Sequence, residues 1–526
     1  MKKIFTLPVL LIIFSFLLWL LSVKLLFPPY LTFSDSAKFA DIARNLVISN
    51  ELGAKFAPFD TTFLNVNGLF PISTPPLFPI LISVGFRIFG LYDLVVILMS
   101  GIFYTGGSLA LYYIGKKYFG QLVGFFASLV FILDLNLLNY ASIGASESLF
   151  IFEILLSILL FSQKKKLFNL FGFLTLIAMY FTRQSAILYI FGLSLFYILL
   201  NFQKIKDIVK TLSIFVFGYI LFEIFANKYA NGLIIYSPLF SFFNGANNFS
   251  PTIASTTSLR GGEVSIGLSL KPLLSKIFYN LYNYYKLLPD IISPYLGGLF
   301  LISLFRTGNN RDQKIFRIIS VFLILVTFLS AAAVLPLFRY IHPAIPFIYL
   351  LGIEMLVWVL RKISTDEKKV WVSSLLLVCF FIVGQTLGKV FLDSRFIKNH
   401  TNAGKPPVYV SLSRVLKENT QAGNLIITNL DTWGTWYGER KTIWFPIIPK
   451  QLESGLENID AIYLTSYKMD DENYFMGDAW RQAFLNPENI EDPLLKDNFK
   501  FVGKFEIKSE ETYGKEGATA VLLIRK

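Results

Sequence analysis

At 526 residues, 54% hydrophobic and 17% aromatic, with a mean hydropathy of +0.57, the chain is too apolar to be soluble throughout. Its net charge of +13 argues against nucleic acid as a partner, because the basic excess lies in short loops between apolar runs and acid slightly outnumbers base from about residue 392 onward. The single cysteine, Cys379, lies in an apolar run, so no internal disulfide can form.

In chain order, the run from Ile4 to Phe27 follows Met1-Lys2-Lys3 and is long enough to cross a hydrocarbon core of roughly 30 Å. No small-residue cleavage site follows, so it is expected to be an uncleaved first span. From Ser34 to Leu46, residues Phe39, Ile42, Ala43 and Leu46 take the i, i+3, i+4, i+7 spacing of an amphipathic helix. Asp35, Lys38 and Asp41 fall on its other side, and Ser34 or Asp35 can cap its start. Such a helix lies along the interface and holds a carboxylate and a cation over the headgroups. An ordinary interfacial helix with a polar outer face reads the same way.

The stretch from Pro75 to Gly90 reads as a juxtamembrane helix or a kinked start to the second span. Further candidate spans cover about 93–115, 121–139, 148–162, 167–182, 185–202, 208–227, 288–305, 316–336, 343–360 and 371–391, about eleven with the first. The basic clusters are Lys2-Lys3, Lys116-Lys117, Lys164-Lys165-Lys166, Lys204-Lys206-Lys210, Arg306-Arg311-Lys314-Arg317 and Arg361-Lys362-Lys368-Lys369. All are predicted to be cytoplasmic, and an odd span count then puts the N-terminus inside and the C-terminal region outside, for a multi-pass protein of the plasma membrane. The outer loops hold 28–91, 139–147, Arg183, about 228–287, and Arg339 to His342.

After the last span, 392–407 reads as a linker, with its Asn399 to Pro407 part rich in turn formers. A small extracytoplasmic α/β domain is expected over 408–526, with a helix at 408–419, strands at 425–428, 459–465 and 518–524, and a helix at 479–485. It carries no phosphate loop, metal-ligand spacing or nucleophile motif. The aromatics of Asp431-Thr432-Trp433-Gly434-Thr435-Trp436-Tyr437 could stack on a sugar or fill a core.

The unusual residues sit in the outer loops. Glu147 opens a span, where a carboxylate is costly unless paired, wet or in use, although the helix dipole also favours it there. Glu153, deeper in the same span, calls for a partner on a neighbouring span. Arg183 and Arg339 run against the cytoplasmic bias, so each calls for a local anion; headgroup phosphates are one answer. The guanidinium fork matches phosphate oxygens. His342, before Pro343, could act as a base or hold structure. Asp35 and Glu147 offer hard oxygen ligands for a divalent ion, without a third ligand in sight.

These residues, in this order, resemble the GT-C class of polytopic glycosyltransferases, nearest the protein O-mannosyltransferases and the lipid A aminoarabinose transferases. The resemblance runs from Leu31 to about Arg183 and again around Arg339. It rests on Asp35 with Ala43-Arg44-Asn45-Leu46, on Pro75-Pro76-Leu77-Phe78-Pro79 leading to Phe89-Gly90, on the Glu147 segment, on Thr182-Arg183 and on Arg339-Tyr340. It implies an α-helical polytopic fold, residues 1–391, with Asp35 as catalytic carboxylate and Glu147 supporting the site or a metal. It also implies that Lys38, Arg44, Arg183, Arg339, Tyr340 and His342 line the substrate site. Two departures stand out: Ser36 where many relatives have a second acid, and Thr74 where the aminoarabinose transferases have a lysine. The implied activity is transfer of a sugar from a polyprenyl-phosphate donor to an acceptor hydroxyl of a glycan, lipid or protein on the outer face, with inversion. A transporter or lipid flippase, or an oligosaccharide polymerase or ligase, is the alternative, though no internal repeat is evident.

Overall fold

The computed structural model describes residues 6–26, 29–72, 74–163, 165–202, 204–229, 260, 270–334, 337–392, 402, 404–470, 474 and 476–526. The basic pair Lys2-Lys3, most of the outer loop expected at 228–287 and the first part of the linker fall outside the described residues.

The first span is α1, Thr6–Leu26, whose 21 residues reach about 31 Å as a helix. α2, Ser34–Ile48, and α3, Leu77–Phe89, follow and pack on each other, Phe39 meeting Phe78 edge to face at 5.5 Å. The stretch after Pro75 is thus a separate short helix. α4, Asp93–Phe119, returns through a turn at Gly120 to α5, Gln121–Leu133. Gly120 has a φ of 103°, a left-handed value that suits glycine. The two helices then cross backbone to backbone: a Cβ on Gly124 would stand 2.4 Å from the Tyr112 carbonyl oxygen, so any side chain there would force them apart.

At Asp134 the chain bends by 59° into α6, Leu135–Ser142. Asp134 caps α6 by accepting from the Leu137 N–H at 2.9 Å and is met by the Tyr349 hydroxyl. The continuous span expected at 121–139 is therefore broken by a half-buried capping acid.

The bundle continues with α7, Glu147–Phe161, α8, Lys166–Tyr180, α9, Ala186–Asn201, α10, Ile205–Tyr229, and α11, Leu270–Lys286. After the single turn α12, Leu288–Ile291, come α13, Pro294–Ser303, α14, Arg311–Ala333, α15, Ile345–Ile363, and α16, Glu367–Leu392. Among the described residues, 4 helices are long and apolar enough to span alone, and up to 5 if the bent pair α5 and α6 counts as one. Several others are shorter: α8 has 15 residues, about 22 Å of helix. Length and apolarity by themselves thus mark fewer spans than the eleven expected.

The C-terminal part is an α/β unit. α17, Val408–Asn419, precedes β2, Leu425–Thr428, then α18, Trp433–Trp436, β3, Lys441–Trp444, and β4, Ala461–Thr465. α19, Asp478–Leu485, α20, Pro493–Asn498, β5, Phe499–Ile507, and β6, Ala518–Arg525, complete it. With β1, Phe56–Ala57, the 6-stranded sheet has the order β1-β3-β2-β4-β6-β5, parallel from β1 to β4 and antiparallel at β6 and β5. Its edge strand β1 comes from the loop between α2 and α3.

Strand alternation divides the sheet's side chains. Ile426, Ala461 and Tyr463 join an apolar core that continues through α17 into the helical bundle. Leu425, Ile427, Ile462 and Leu464 join a second core with Phe56, Phe63 and Phe70 of the first loop.

The helix ends sort the charges. Lys116 and Lys117 end α4, Arg311 opens α14, and Arg361 and Lys362 end α15. Asp93 opens α4 and Glu147 opens α7 at the other end of the bundle, where α2 and the sheet also sit. At the basic end Glu354 is held between Arg306 and Arg317 and Arg306 covers Trp358, a clamp between α14 and α15.

Candidate active site

No side chain caps α2: Phe33 occupies the cap position in extended backbone, so Asp35 stands in the first turn. The positive end of the helix dipole favours a carboxylate there. Asp35 Oδ2 accepts a 2.7 Å hydrogen bond from Arg339 Nη1. Arg339 sits on the 3-10 turn Phe338–Tyr340 that leads into α15. The Asp35 side chain is 39% exposed and that of Arg339 24%, so protein surrounds this pair but leaves one side open.

A second pair lies beside it. Glu147, 1% exposed at the start of α7, has its Oε1 2.7 Å from Arg183 Nη1. Arg183, on the turn between α8 and α9, also donates to Ser146 Oγ at 3.3 Å. Both guanidiniums lie against one ring: the Tyr340 centroid is 5.6 Å from Arg183 Cζ and 5.4 Å from Arg339 Cζ. Phe33 backs Arg339 at 5.2 Å. Four separate segments thus bring two acids, two arginines and a tyrosine to one end of the bundle.

Burial works to raise the pKa of Asp35. The Arg339 charge and hydrogen bond, with Lys38 and Arg183 behind them, outweigh it and hold the carboxyl below its ordinary value. Lys38 is one helical turn further along. Burial lowers its pKa, while Asp35 and Asp431 support its charge. A partly exposed pair with a second guanidinium and an ammonium nearby suits an anion with several oxygens, above all a phosphate.

Some sequence candidates stand elsewhere. Arg44 is 7% exposed and donates to Asp41 Oδ1 at 2.6 Å, the Thr435 carbonyl at 2.7 Å and the Trp436 carbonyl at 2.9 Å. It clamps the C-terminal domain instead. Asp41, expected on a polar outer face, is fully buried and accepts from the Lys55 N–H at 2.7 Å. The physical reason is the same: α18 covers the side of α2 that the amphipathic pattern assigns to water. His342 is also fully buried, with Nδ1 2.6 Å from the Tyr140 hydroxyl, so it joins α6 to the α15 turn instead of offering a base to solvent. Glu153 accepts from Thr182 Oγ1 at 2.9 Å, the neighbouring-segment partner its depth called for.

Among the described residues no group of three or more His, Cys, Asp or Glu is arranged to hold a metal ion. Asp35 and Glu147 each meet an arginine. Of the aromatics after Asp431, Trp433 is 1% exposed and Trp436 7%. Trp436 Nε1 and the Tyr437 hydroxyl both donate to Asp93 at 2.6 Å, and Trp436 stacks on Phe86. They fill an interface core. The sequence reading missed Asp93 and the single residue Asp431; an acid opening a long apolar helix was the one available signal for the former.

Residues 73–226 match the family described as dolichyl-phosphate-mannose-protein mannosyltransferase. No curated protein matches the chain. The fold is similar to that of ArnT from Cupriavidus metallidurans in the apo state, with a TM-score of 0.53 and 12% identity over 98% of this chain and 97% of that one. The same enzyme bound to undecaprenyl phosphate matches with a TM-score of 0.51 and 11% identity, again over 98% of this chain and 97% of that one. The Archaeoglobus fulgidus oligosaccharyltransferase tethered to an acceptor peptide matches with a TM-score of 0.54 and 13% identity, over 96% of this chain and 73% of that one. The chain has the GT-C glycosyltransferase fold, and none of these matches favours a transporter.

Proposed function

We propose that this glycosyltransferase of the GT-C fold takes its sugar from a polyprenyl-phosphate donor and passes it to an acceptor hydroxyl on the extracytoplasmic face, with inversion. The observation that carries this reading is the convergence of Asp35–Arg339 and Glu147–Arg183 on Tyr340, at the end of the bundle away from the basic loops. It is supported by the undecaprenyl phosphate held by the Cupriavidus enzyme and the acceptor peptide held by the Archaeoglobus one.

In this reading the Asp35–Arg339 pair is a resting latch. The donor phosphate competes for the Arg339 fork, and Asp35, losing its strongest positive neighbour, becomes a better base. The acceptor oxygen then attacks the anomeric carbon as its proton passes to Asp35. The bond from that carbon to the phosphate oxygen breaks and its electron pair stays on the phosphate. Arg339, Arg183 and Lys38 balance the charge that accumulates there. Glu147 holds Arg183 in place. One displacement at the anomeric carbon inverts it.

The same reading takes residues 1–391 as a transmembrane unit of about eleven spans with a cytoplasmic N-terminus. It takes 392–407 as a linker and 408–526 as an extracytoplasmic domain. The short helices cross as tilted or paired segments supported by their neighbours. The test is mass spectrometry of polyprenyl-phosphate sugars in cells lacking the protein. One such species should accumulate on the outer leaflet; a lipid pool identical to that of the parent cells would refute the reading.

A further inference from the structure

The basic end of the bundle gathers arginines of its own. Arg306, on the loop before α14, and Arg317, in the second turn of α14, meet the same carboxylate. Arg306 Nη1 pairs with Glu354 Oε1, and Arg317 Nη1 donates to Glu354 Oε2 at 2.9 Å. Arg317 also donates to the Ser303 carbonyl. The side chains of Arg317 and Glu354 are each 9% exposed. Two guanidiniums thus share one carboxylate, and one positive charge is left over in a place largely withdrawn from water, where an unbalanced charge is costly.

These groups surround a space instead of filling it. A cavity of about 110 Å³ is lined by Arg306, Arg317, Glu354, Trp358 and Arg361. Roughly 10–15 Å³ admits one water, so this one takes a group of several atoms. Arg361 brings a third guanidinium. Its Nε and Nη2 meet Glu367 at 3.0 and 3.3 Å, but both side chains are exposed, and such a surface pair is weak enough to exchange for another anion. A fastening between α14 and α15 needs only Glu354 and one arginine; it explains neither the cavity nor the second and third guanidiniums.

The flank of this cavity is apolar. Phe305, next to Arg306, is 92% exposed, and Leu301, Ile302 and Leu304 are exposed beside it. Trp358 is exposed as well, with Arg306 Cζ 4.9 Å and Lys362 Nζ 5.8 Å from its ring, the placing of an indole between an apolar phase and a charged one. Planar guanidiniums match phosphate oxygens. A free phosphate would use only the arginines, whereas a phospholipid would also cover the apolar flank.

We propose that this cavity binds the phosphate of an anionic phospholipid, held by Arg306, Arg317 and Arg361 with its acyl chains along residues 301–305. The bound lipid supplies the negative charge that Glu354 alone does not, and it holds the loop before α14 against α15. The site lies at the end of the bundle away from Asp35 and is independent of the donor reading.

The full chain, purified in neutral detergent, is titrated with phosphatidylglycerol and read by native mass spectrometry and by its melting curve. One phosphatidylglycerol should bind at least about tenfold more tightly than phosphatidylcholine. Arg361→Gln should weaken that binding about tenfold, the worth of a charge-assisted hydrogen bond. Lys368→Gln, at the same end but outside the cavity lining, should leave it unchanged. Glu354→Gln should melt lower than the parent in neutral detergent, and phosphatidylglycerol should recover most of the loss by taking the carboxylate's place between Arg306 and Arg317. If that variant does not fold, the comparison of Arg361→Gln with Lys368→Gln carries the test. Equal binding of the two lipids, or an equal fall in the Arg361 and Lys368 variants, overturns the proposal. Inorganic phosphate that stabilises the chain as well as phosphatidylglycerol does overturns the lipid as its occupant.

Discussion

Helix α2 carries two aspartate–arginine pairs, and their difference separates a working site from a fastening. Asp41 and Arg44 are 1% and 9% exposed, with every remaining polar contact directed at backbone or at Asn45. Asp35 and Arg339 are 39% and 24% exposed, and Arg339 Nε has no partner among the described groups. The first pair joins neighbours on one helix and clamps a second domain. The second joins residues 304 apart in sequence and leaves an open side that another anion can enter. A buried pair with all its hydrogen bonds made resists exchange, whereas a half-open one can trade its partner.

The sharpest way to break this contrast is to neutralise each acid. Asp35→Asn should lower transfer by roughly 10²–10⁴-fold, the usual worth of a general base, with the melting temperature unchanged. Asp41→Asn should do the reverse. Leaving Arg44 buried without its charge partner costs about 3–5 kcal/mol, read as a lower melting temperature and faster proteolytic release of 408–526. If Asp41→Asn melts like the parent, the fastening role is wrong.

Arg339→Gln should weaken the donor KM by about tenfold to a hundredfold, matching about 1.5–3 kcal/mol for a charge-assisted hydrogen bond. It should also move the acid limb of transfer. In the parent, Asp35 keeps its negative form below the ordinary carboxylate pKa, so activity persists as pH falls until that lowered value is reached. Without the guanidinium, burial dominates, the Asp35 pKa rises and the acid limb moves to higher pH. An unmoved limb would separate the two residues. The smallest effect belongs to Trp436→Phe, which removes one hydrogen bond to Asp93 and keeps the ring stacked on Phe86. About 1–2 kcal/mol of stability should be lost, with no change in donor KM.

The sequence showed the parts whose signal is local. The helix at 408–419 and the strand at 425–428 were readable because apolar periodicity and flanking turn residues mark them within a few positions. β3 and β5 were not, because short or alternating strands with lysines resemble loops when their partners are unknown. β1 was beyond reach: two residues pair with a strand nearly four hundred positions away. Asp35, Arg183 and Arg339 stood out because arginines and acids in loops without the basic clusters are unexpected, but their pairing depended on tertiary structure. Arg44 and Asp41 were misplaced for one reason. An amphipathic pattern separates apolar from polar faces, and it cannot distinguish a polar face toward water from one covered by a second domain.

The measurement that bears most directly on the account is transfer by purified Asp35→Asn protein in lipid vesicles, assayed beside its melting curve. The donor is the polyprenyl-phosphate sugar extracted from cells lacking the protein. The account predicts a melting temperature equal to the parent's and transfer reduced by roughly 10²–10⁴-fold. Transfer at the parental rate by that folded variant would contradict it.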